Sequence, residues 1–396
     1  MFLRQAVPRF LRAHYAVQGI KEKRRTAVFT GGGTGGHIYP GLAVAEALKL
    51  LDGTVAVVWF GSSSGVDRAL VEKSGVADFF YGIPSGKFRR YVSLRTALDM
   101  CKVFAGFIAS LFLLVKIKPR AVFSKGGYVS VPPCFAAKCL RIPVYTHECD
   151  FSPGLATRLN AKAASRVFVS YAETAAFFGG RVRRAVTVSG NPVRREFYRA
   201  DSARGRRFLG FEAPPDKPVL LALGGSLGAR QINALVAECL PWLLERFVVV
   251  HQTGEHGVPA PCSGGLWENY KAYRFIYAEM PDVVAAADIV LSRAGANSLW
   301  ECATLGKPLV LVPLSGSGTR GDQVENARFF ERAGAALVLD GNTAPAPLAD
   351  ALKRALAYML DAGTRARFAR ASASLAGAAN PARDIAQILF DEVFSL

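Results

Sequence analysis

Short runs of consecutive apolar residues recur along the chain, separated by longer segments in which apolar positions return every three or four residues. The runs lie at 26–30, 55–60, 121–124, 142–146, 166–170 and 186–189, and again at 218–223, 246–251, 273–277, 288–292 and 308–313. A run without polar alternation suits a strand covered on both faces, and the segments between are long enough for helices. That rhythm predicts right-handed βαβ units and parallel sheets. Gly190-Asn191-Pro192-Val193-Arg194 carries a turn signal between the two series. The expectation is an α/β protein of two Rossmann-like, doubly wound domains facing a central cleft, at 26–190 and 191–378. A basic extension at 1–25 precedes them, and 379–396 follows, with apolar spacing from Asp384 to Leu396 that suits a helix.

Each series opens with a strand, a glycine-rich loop and a helix. The first loop is Gly31-Gly32-Gly33-Thr34-Gly35-Gly36-His37, and the second is Gly224-Gly225-Ser226-Leu227-Gly228-Ala229-Arg230. A helix start presents unbonded N–H groups and the positive end of a dipole, and glycine lets an anionic group approach that backbone. Gly31, Gly33 and Gly36 also satisfy the dinucleotide fingerprint G-x-G-x-x-G. A nicotinamide cofactor site wants a carboxylate at the end of the second strand for the ribose diol. That strand ends here in Gly61-Ser62-Ser63-Ser64, and the loop carries a titratable His37 that a pyrophosphate does not need, which argues against an oxidoreductase.

Composition narrows the partners. The 396-residue chain is 51% hydrophobic and 20% charged, enough apolar content for large cores, and its formal charge is +18. So basic a protein meets nucleic acid, anionic lipid or phosphorylated ligands, but zinc-finger spacing and RNA-binding aromatic motifs are missing, so nucleic acid is not expected. The seven cysteines are scattered and form no C-x-x-C pair, as free thiols in a reducing cytoplasm do. Residues 1–25 hold seven cations against Glu22, without the apolar core of a secretory signal. They read as a disordered tail, an over-extended start or a basic surface-seeking arm.

Val103 to Val115 is thirteen residues without a charge, shorter than the roughly 20 a spanning helix needs. Lys87, Arg89, Arg90, Arg95, Lys102, Lys116, Lys118, Arg120 and Lys125 surround it, with Asp99 the one nearby acid. An apolar surface ringed by cations suits an anionic leaflet, while a buried helix with solvated ends would give the same pattern.

The loop at 31–37 with Ile38-Tyr39-Pro40-Gly41-Leu42-Ala43 strongly resembles the bacterial peptidoglycan transferases that add N-acetylglucosamine to lipid I, in glycosyltransferase family 28. Ser124-Lys125-Gly126-Gly127-Tyr128-Val129-Ser130, His147-Glu148, Gly190-Asn191-Pro192-Val193-Arg194, the second glycine loop, His251-Gln252-Thr253-Gly254, Arg293-Ala294-Gly295-Ala296 and Gln323 with Asn326-Ala327 are similar to the same family, in order, from about residue 27 to 340. The resemblance implies a GT-B fold, a last helix that crosses back onto the first domain, and an inverting transfer from UDP-N-acetylglucosamine to lipid I that makes lipid II. It implies a peripheral enzyme on the cytoplasmic face of the membrane, without a cofactor. Thr34, Gly35, Gly36, Tyr128 and Asp150 are then substrate contacts of the first domain, and Arg194, Ser226, Tyr277, Ala296, Asn297, Ser298, Glu301 and Gln323 of the second.

This chain departs from the family pattern at three places. His147-Glu148-Cys149-Asp150 stands for the usual His-Glu-Gln-Asn, so Asp150 keeps an acceptor and loses the amide donor. Val131-Pro132 stands for Gly-Pro, and Asp322-Gln323 for His-Gln.

An inverting transfer needs a base at the acceptor hydroxyl and stabilisation of the departing UDP. Asp-x-Asp, the usual carboxylate pair for a diphosphate-bound metal, does not occur, so no metal is expected. Backbone N–H groups, Ser226 and Arg194 are left to meet the charge. Glu301 suits the ribose diol, although Ser298-Leu299-Trp300-Glu301 also reads as a capping box. His37 is the first candidate base and Glu148 its rival; a structural or phosphate-binding His37 is the plainer alternative. Two other functions fit less of the sequence: another GT-B glycolipid glycosyltransferase, and a non-catalytic binder of UDP-sugar or anionic lipid.

Overall fold

The computed structural model describes residues 25–86, 94–211, 215–224, 229–256, 265–316 and 319–395. The basic extension therefore lies outside the described residues except for Arg25, as do Lys87, Arg89, Arg90 and Ser226.

The chain forms two compact units, one running to Pro192 and resuming at Asn380, the other Val193–Ala379. The first holds β1 (Thr26–Thr30), β2 (Ala56–Ser62), β3 (Phe79–Ile83), β4 (Ala121–Ser124), β5 (Val144–Glu148), β6 (Arg166–Val169) and β7 (Val186–Val188). These form a parallel sheet in the order β3-β2-β1-β4-β5-β6-β7. The second holds β8 (Val219–Leu223), β9 (Val248–Gln252), β10 (Tyr270–Tyr273), β11 (Ile289–Ser292), β12 (Leu309–Leu311) and β13 (Ala336–Val338), parallel in the order β10-β9-β8-β11-β12-β13. Each is a doubly wound sheet whose order reverses between its first and fourth strands, where such sheets hold ligands.

Both faces of the first sheet are dry. On one face Ala27, Phe29, Val57 and Trp59 pack with helix α1 (Tyr39–Leu51). On the other Val28, Val58, Phe60 and Val122 pack with helix α2 (Leu94–Ile117). This period-two division explains why the strands read as uninterrupted apolar runs. The second unit adds helix α3 (Ala296–Thr304) directly after β11. Helix α4 (Pro381–Val393) begins with Asn380 accepting from Arg383 N, and Pro381 fills its first position, where no N–H is needed. Its Ala382, Ile385, Ala386 and Leu389 complete the core beside α1 in the first unit.

Two strands, β3 and β13, escaped the sequence pattern, and one expectation is corrected. The apolar run 273–277 is not a strand: β10 is Tyr270–Tyr273, paired with Val249–Gln252, and the chain leaves the sheet where β9 ends. Phe275, Ile276 and Tyr277 belong to the following loop, their apolar character serving ring packing rather than a ladder.

Candidate active site

In the first unit, three loops leave the adjacent strands β1, β4 and β5. After β1 the backbone turns through a short 3-10 segment, Gly35–His37, opened by His37 N bonding Thr34 O at 3.1 Å. Thr34 is exposed, and Gly35, Gly36 and His37 are half-buried. The loop is held from below: Trp59 Nε1 donates to Gly31 O at 3.1 Å, and Gly33 N donates to Asp67 Oδ1 at 2.9 Å. Asp67 also accepts from Ser62 N at 2.9 Å and is 1% exposed. The second strand thus does have a carboxylate just past its end, as a loop brace spent on backbone N–H groups. Its sequence signal was present in Ser62-Ser63-Ser64-Gly65-Val66-Asp67, displaced beyond the position a ribose-binding acid takes.

After β4, Gly126 and Gly127 adopt φ of +83° and +77°. A Cβ on Gly127 would lie 2.7 Å from Gly32 O and 3.1 Å from His37 Cδ2, so this pair seats the imidazole as well as turning the chain. Tyr128 follows, half-buried against Gly33, its phenol pKa raised by burial and by Asp67.

After β5, Glu148 is 4% exposed and fully engaged. Its Oε1 accepts from Cys149 N at 2.9 Å and Asp150 N at 3.0 Å, and its Oε2 from Gly154 N at 3.0 Å. That shapes the 149–154 turn and places Asp150, 9% exposed, at its start. His147 is fully buried, and its Nε2–H donates to Gly190 O at 3.0 Å, which fixes the tautomer. Burial, then the Lys125 charge, holds its pKa well below the usual value. Glu148, Cys149 and Asp150 place ligand atoms within 4.8 Å of one another, as a metal site would. Both Glu148 oxygens are committed to N–H donors, however, and the Lys125 ammonium acts on Cys149, so the set is poorly suited to a cation. Burial lifts the Cys149 thiol to about 12, which keeps it protonated.

In the second unit, α3 begins at Ala296 with Gly295 as its cap, and its first intrahelical bond is Leu299 N to Gly295 O at 3.1 Å. The N–H groups of Ala296, Asn297 and Ser298 precede that bond and face the ligand end of the sheet. Ser298 is therefore inside the helix, not its cap, and the capping-box reading of Ser298 and Glu301 is excluded. Glu301 instead meets Arg194, whose Nε and an Nη both reach Oε1, at 3.1 and 3.0 Å. Burial raises the Glu301 pKa and Arg194 opposes the rise. Arg194 also lies over the Phe197 ring, 4.9 Å from its centroid. The two residues that the sequence assigned separate duties are thus one ion pair, a long-range contact no local pattern reveals.

Around these loops the described supports are neutral or cationic, while Asp282 and Asp288 accept backbone N–H groups elsewhere in the unit. Arg293 donates to Val312 O at 3.0 Å, Asn326 Nδ2 to Ala294 O at 3.2 Å, and Gln323 Oε1 accepts from Leu314 N at 2.9 Å. Gln252 Oε1 accepts from Ile276 N at 2.9 Å and fixes the loop that carries Tyr277, which is 63% exposed. His251 bonds Tyr270 Oη at 2.9 Å and Asn233 Oδ1 at 3.1 Å, and burial lowers its pKa to about 4.

The apolar segment 103–115 lies within α2. Gly106, Ser110, Leu114 and Ile117 are buried, while Met100, Phe104, Ile108, Phe112 and Val115 are exposed. Two details of the sequence reading change. The apolar run is not all surface: Phe107 packs against the core, and Phe104 and Phe112 lie on the outer stripe. Lys125 is no part of the cationic rim, being 1% exposed.

Comparison with known proteins now bears on this geometry. Residues 27–169 match the glycosyltransferase family 28 N-terminal domain, and 219–389 match the glycosyltransferase family 28 C-terminal domain. The chain is similar to the UDP-N-acetylglucosamine–N-acetylmuramyl-(pentapeptide) pyrophosphoryl-undecaprenol N-acetylglucosamine transferase of Treponema denticola, 50% identical over 92% of this chain and 97% of that protein. A Bacillus cereus protein of the same name, numbered 2, is 40% identical over 79% of this chain and 86% of its own length. Among solved structures, MurG of Acinetobacter baumannii has a TM-score of 0.66 at 24% identity, over 94% of this chain and 100% of that one, a likeness of GT-B fold. With both family domains matched in order on the two sheets described above, the chain belongs to glycosyltransferase family 28.

Proposed function

We propose that this chain transfers N-acetylglucosamine from UDP-N-acetylglucosamine to the C4 hydroxyl of the N-acetylmuramyl group of lipid I, with inversion, forming lipid II. The observation that carries the reading is the 50% identity to the Treponema denticola transferase of that name, spread over 92% of the chain. The braced loop at 31–37 and the helix-start donors of α3 supply what the chemistry needs.

In the transfer the C4 oxygen bonds to the anomeric carbon as the bond to UDP breaks. The hydroxyl proton passes to a base and UDP leaves as an anion. His37 is assigned the proton, since neutral imidazole accepts one near pH 7 and its half-buried ring is held against Gly127 at the ligand end of the sheet. Glu148 is assigned to shaping the 149–154 turn, because both its oxygens are taken up by backbone N–H groups of that turn. Asp150 and Tyr128 contact the sugar side, with Thr34, Gly35 and Gly36 at the loop. On the donor side Arg194, Ser226 and the first turn of α3 meet the UDP charge without a metal. Glu301 keeps Oε2 for the ribose diol while Arg194 holds Oε1. Tyr277 offers its exposed ring to the base, and Gln323 sits at the sugar.

The outer stripe of α2, with Lys102, Lys116, Lys118 and Arg120 near it, rests on the anionic cytoplasmic leaflet that carries the acceptor. A panel of labelled UDP-sugars against lipid I and a diacylglycerol acceptor tests the assignment. Product from UDP-N-acetylglucosamine and lipid I alone is expected, and preferential glycosylation of the diacylglycerol would refute it.

A further inference from the structure

Lys125 is 1% exposed, its Nζ meets no oxygen or nitrogen partner among the described residues, and the side chain it bears on as a donor is the Cys149 thiol. A lone ammonium in a protein interior is costly, so a residue of this kind persists only where negative charge lies close by. Its stem runs beneath the first loop and α1: a Cβ on Gly31 would lie 3.2 Å from Lys125 Cβ, and one on Gly41 3.6 Å. Its charge is felt on the next strand, where it opposes the rise of the Cys149 thiol pKa and adds to the fall of that of His147. Cys149 is flanked by Glu148 and Asp150, and the ligand atoms of all three lie within 4.8 Å of one another. Ser124 pairs with Thr146 across β4 and β5, so Lys125 stands beside His147 where β5 gives way to the 148–150 turn, and Glu148 and Asp150 are the carboxylates of that turn.

The second unit holds a natural control. Arg293 follows β11 as Lys125 follows β4, each after a serine that ends the fourth strand of its sheet. Arg293 uses its charge to tie down Val312 O. Lys125 ties down no carbonyl, so its charge serves another purpose.

We infer that Lys125 is a positioning residue: its ammonium is the internal counter-charge of the Glu148-Cys149-Asp150 turn and holds Asp150 as an ionised acceptor for a sugar hydroxyl. This rests on the reading of Asp150 as a substrate contact. In the absence of the ammonium, two carboxylates sharing one buried turn repel, and Asp150 moves out or takes up a proton.

A charge-balance cycle in the full chain tests it, with Lys125→Met, Asp150→Asn and the double variant. Lys125→Met should raise the KM for lipid I about tenfold more than it lowers kcat, leaving the KM for UDP-N-acetylglucosamine in place. Adding Asp150→Asn should recover part of that loss, because it removes the unbalanced charge. The same cycle read by thermal unfolding needs no substrate: the double variant should melt above Lys125→Met. Effects of the two substitutions that simply multiply in KM and add in melting temperature would overturn the inference. A wild-type chain inactive on lipid I would count against the functional reading alone, and the melting cycle would still decide Lys125.

Discussion

The two sheets share an order of strands and differ in what braces their ligand ends. In the first unit the braces are buried carboxylates: Asp67 takes the N–H groups of Gly33 and Ser62, and Glu148 those of Cys149, Asp150 and Gly154. In the second they are an arginine and amides, Arg293, Asn326, Gln323 and Gln252, which bond backbone without adding negative charge. A carboxylate brace consumes donors that a phosphate would otherwise use and adds charge that repels it. Neutral and cationic braces add no such charge beside the first turn of α3. The proposed function assigns the acceptor and the base to the first of these faces and the nucleotide diphosphate to the second.

The sharpest way to break this contrast is His37→Ala. As the base, His37 should lower kcat by roughly 10²–10⁴-fold on removal, with donor affinity nearly unchanged. The acidic limb of the pH–rate profile should vanish with it. A variant that kept kcat and lost acceptor affinity would make His37 a phosphate contact.

Next in size is a pH effect confined to the second unit. His251 has a folded pKa of about 4, below the ordinary 6.5 of histidine. Below pH 6.5 the unfolded chain takes up a proton that the folded chain refuses, so stability falls as pH falls, with the loss complete near pH 4. The gap corresponds to about 3 kcal/mol. Urea unfolding of the second unit between about pH 7.5 and pH 4.5 should lose part of its pH dependence in His251→Gln, while the buried His147 keeps a like dependence in the first unit. An unchanged slope would mean that His251 is already charged in the folded state.

Glu301→Ala should raise the donor KM about 10- to 100-fold, the loss of one charged hydrogen bond of about 1.5–3 kcal/mol. Acceptor KM should hold. A raised acceptor KM with an unchanged donor KM would reverse the assignment of the two units.

The smallest effect expected is on membrane docking. Phe104→Ser with Phe112→Ser should weaken binding to anionic vesicles about tenfold while leaving UDP affinity intact. Equal binding by wild type and variant would place the docking face elsewhere.

Much of the scaffold was legible because parallel strands buried on both faces must be written as uninterrupted apolar runs, as β1, β4 and β8 are. The run at 273–277 misled because Phe275, Ile276 and Tyr277 are apolar for loop packing, and only the end of β9 decides where pairing stops. The strand β3 escaped because its Phe79–Ile83 carries Gly82 and is only half covered at an edge. The glycine loops announced the ligand ends through backbone requirements, which are local. The pairing of Arg194 with Glu301, the bracing by Asp67 and the burial of Lys125 join residues distant in sequence, and no periodicity encodes them.

The most direct measurement is transfer of labelled N-acetylglucosamine from UDP-N-acetylglucosamine to a lipid I analogue by the full chain, in EDTA, with the new linkage assigned by NMR. The account predicts undiminished turnover under chelation and a β-linked disaccharide on the lipid. Hydrolysis of the donor without a lipid product, retention of the donor's anomeric configuration, or activity that EDTA abolishes and magnesium restores would contradict it.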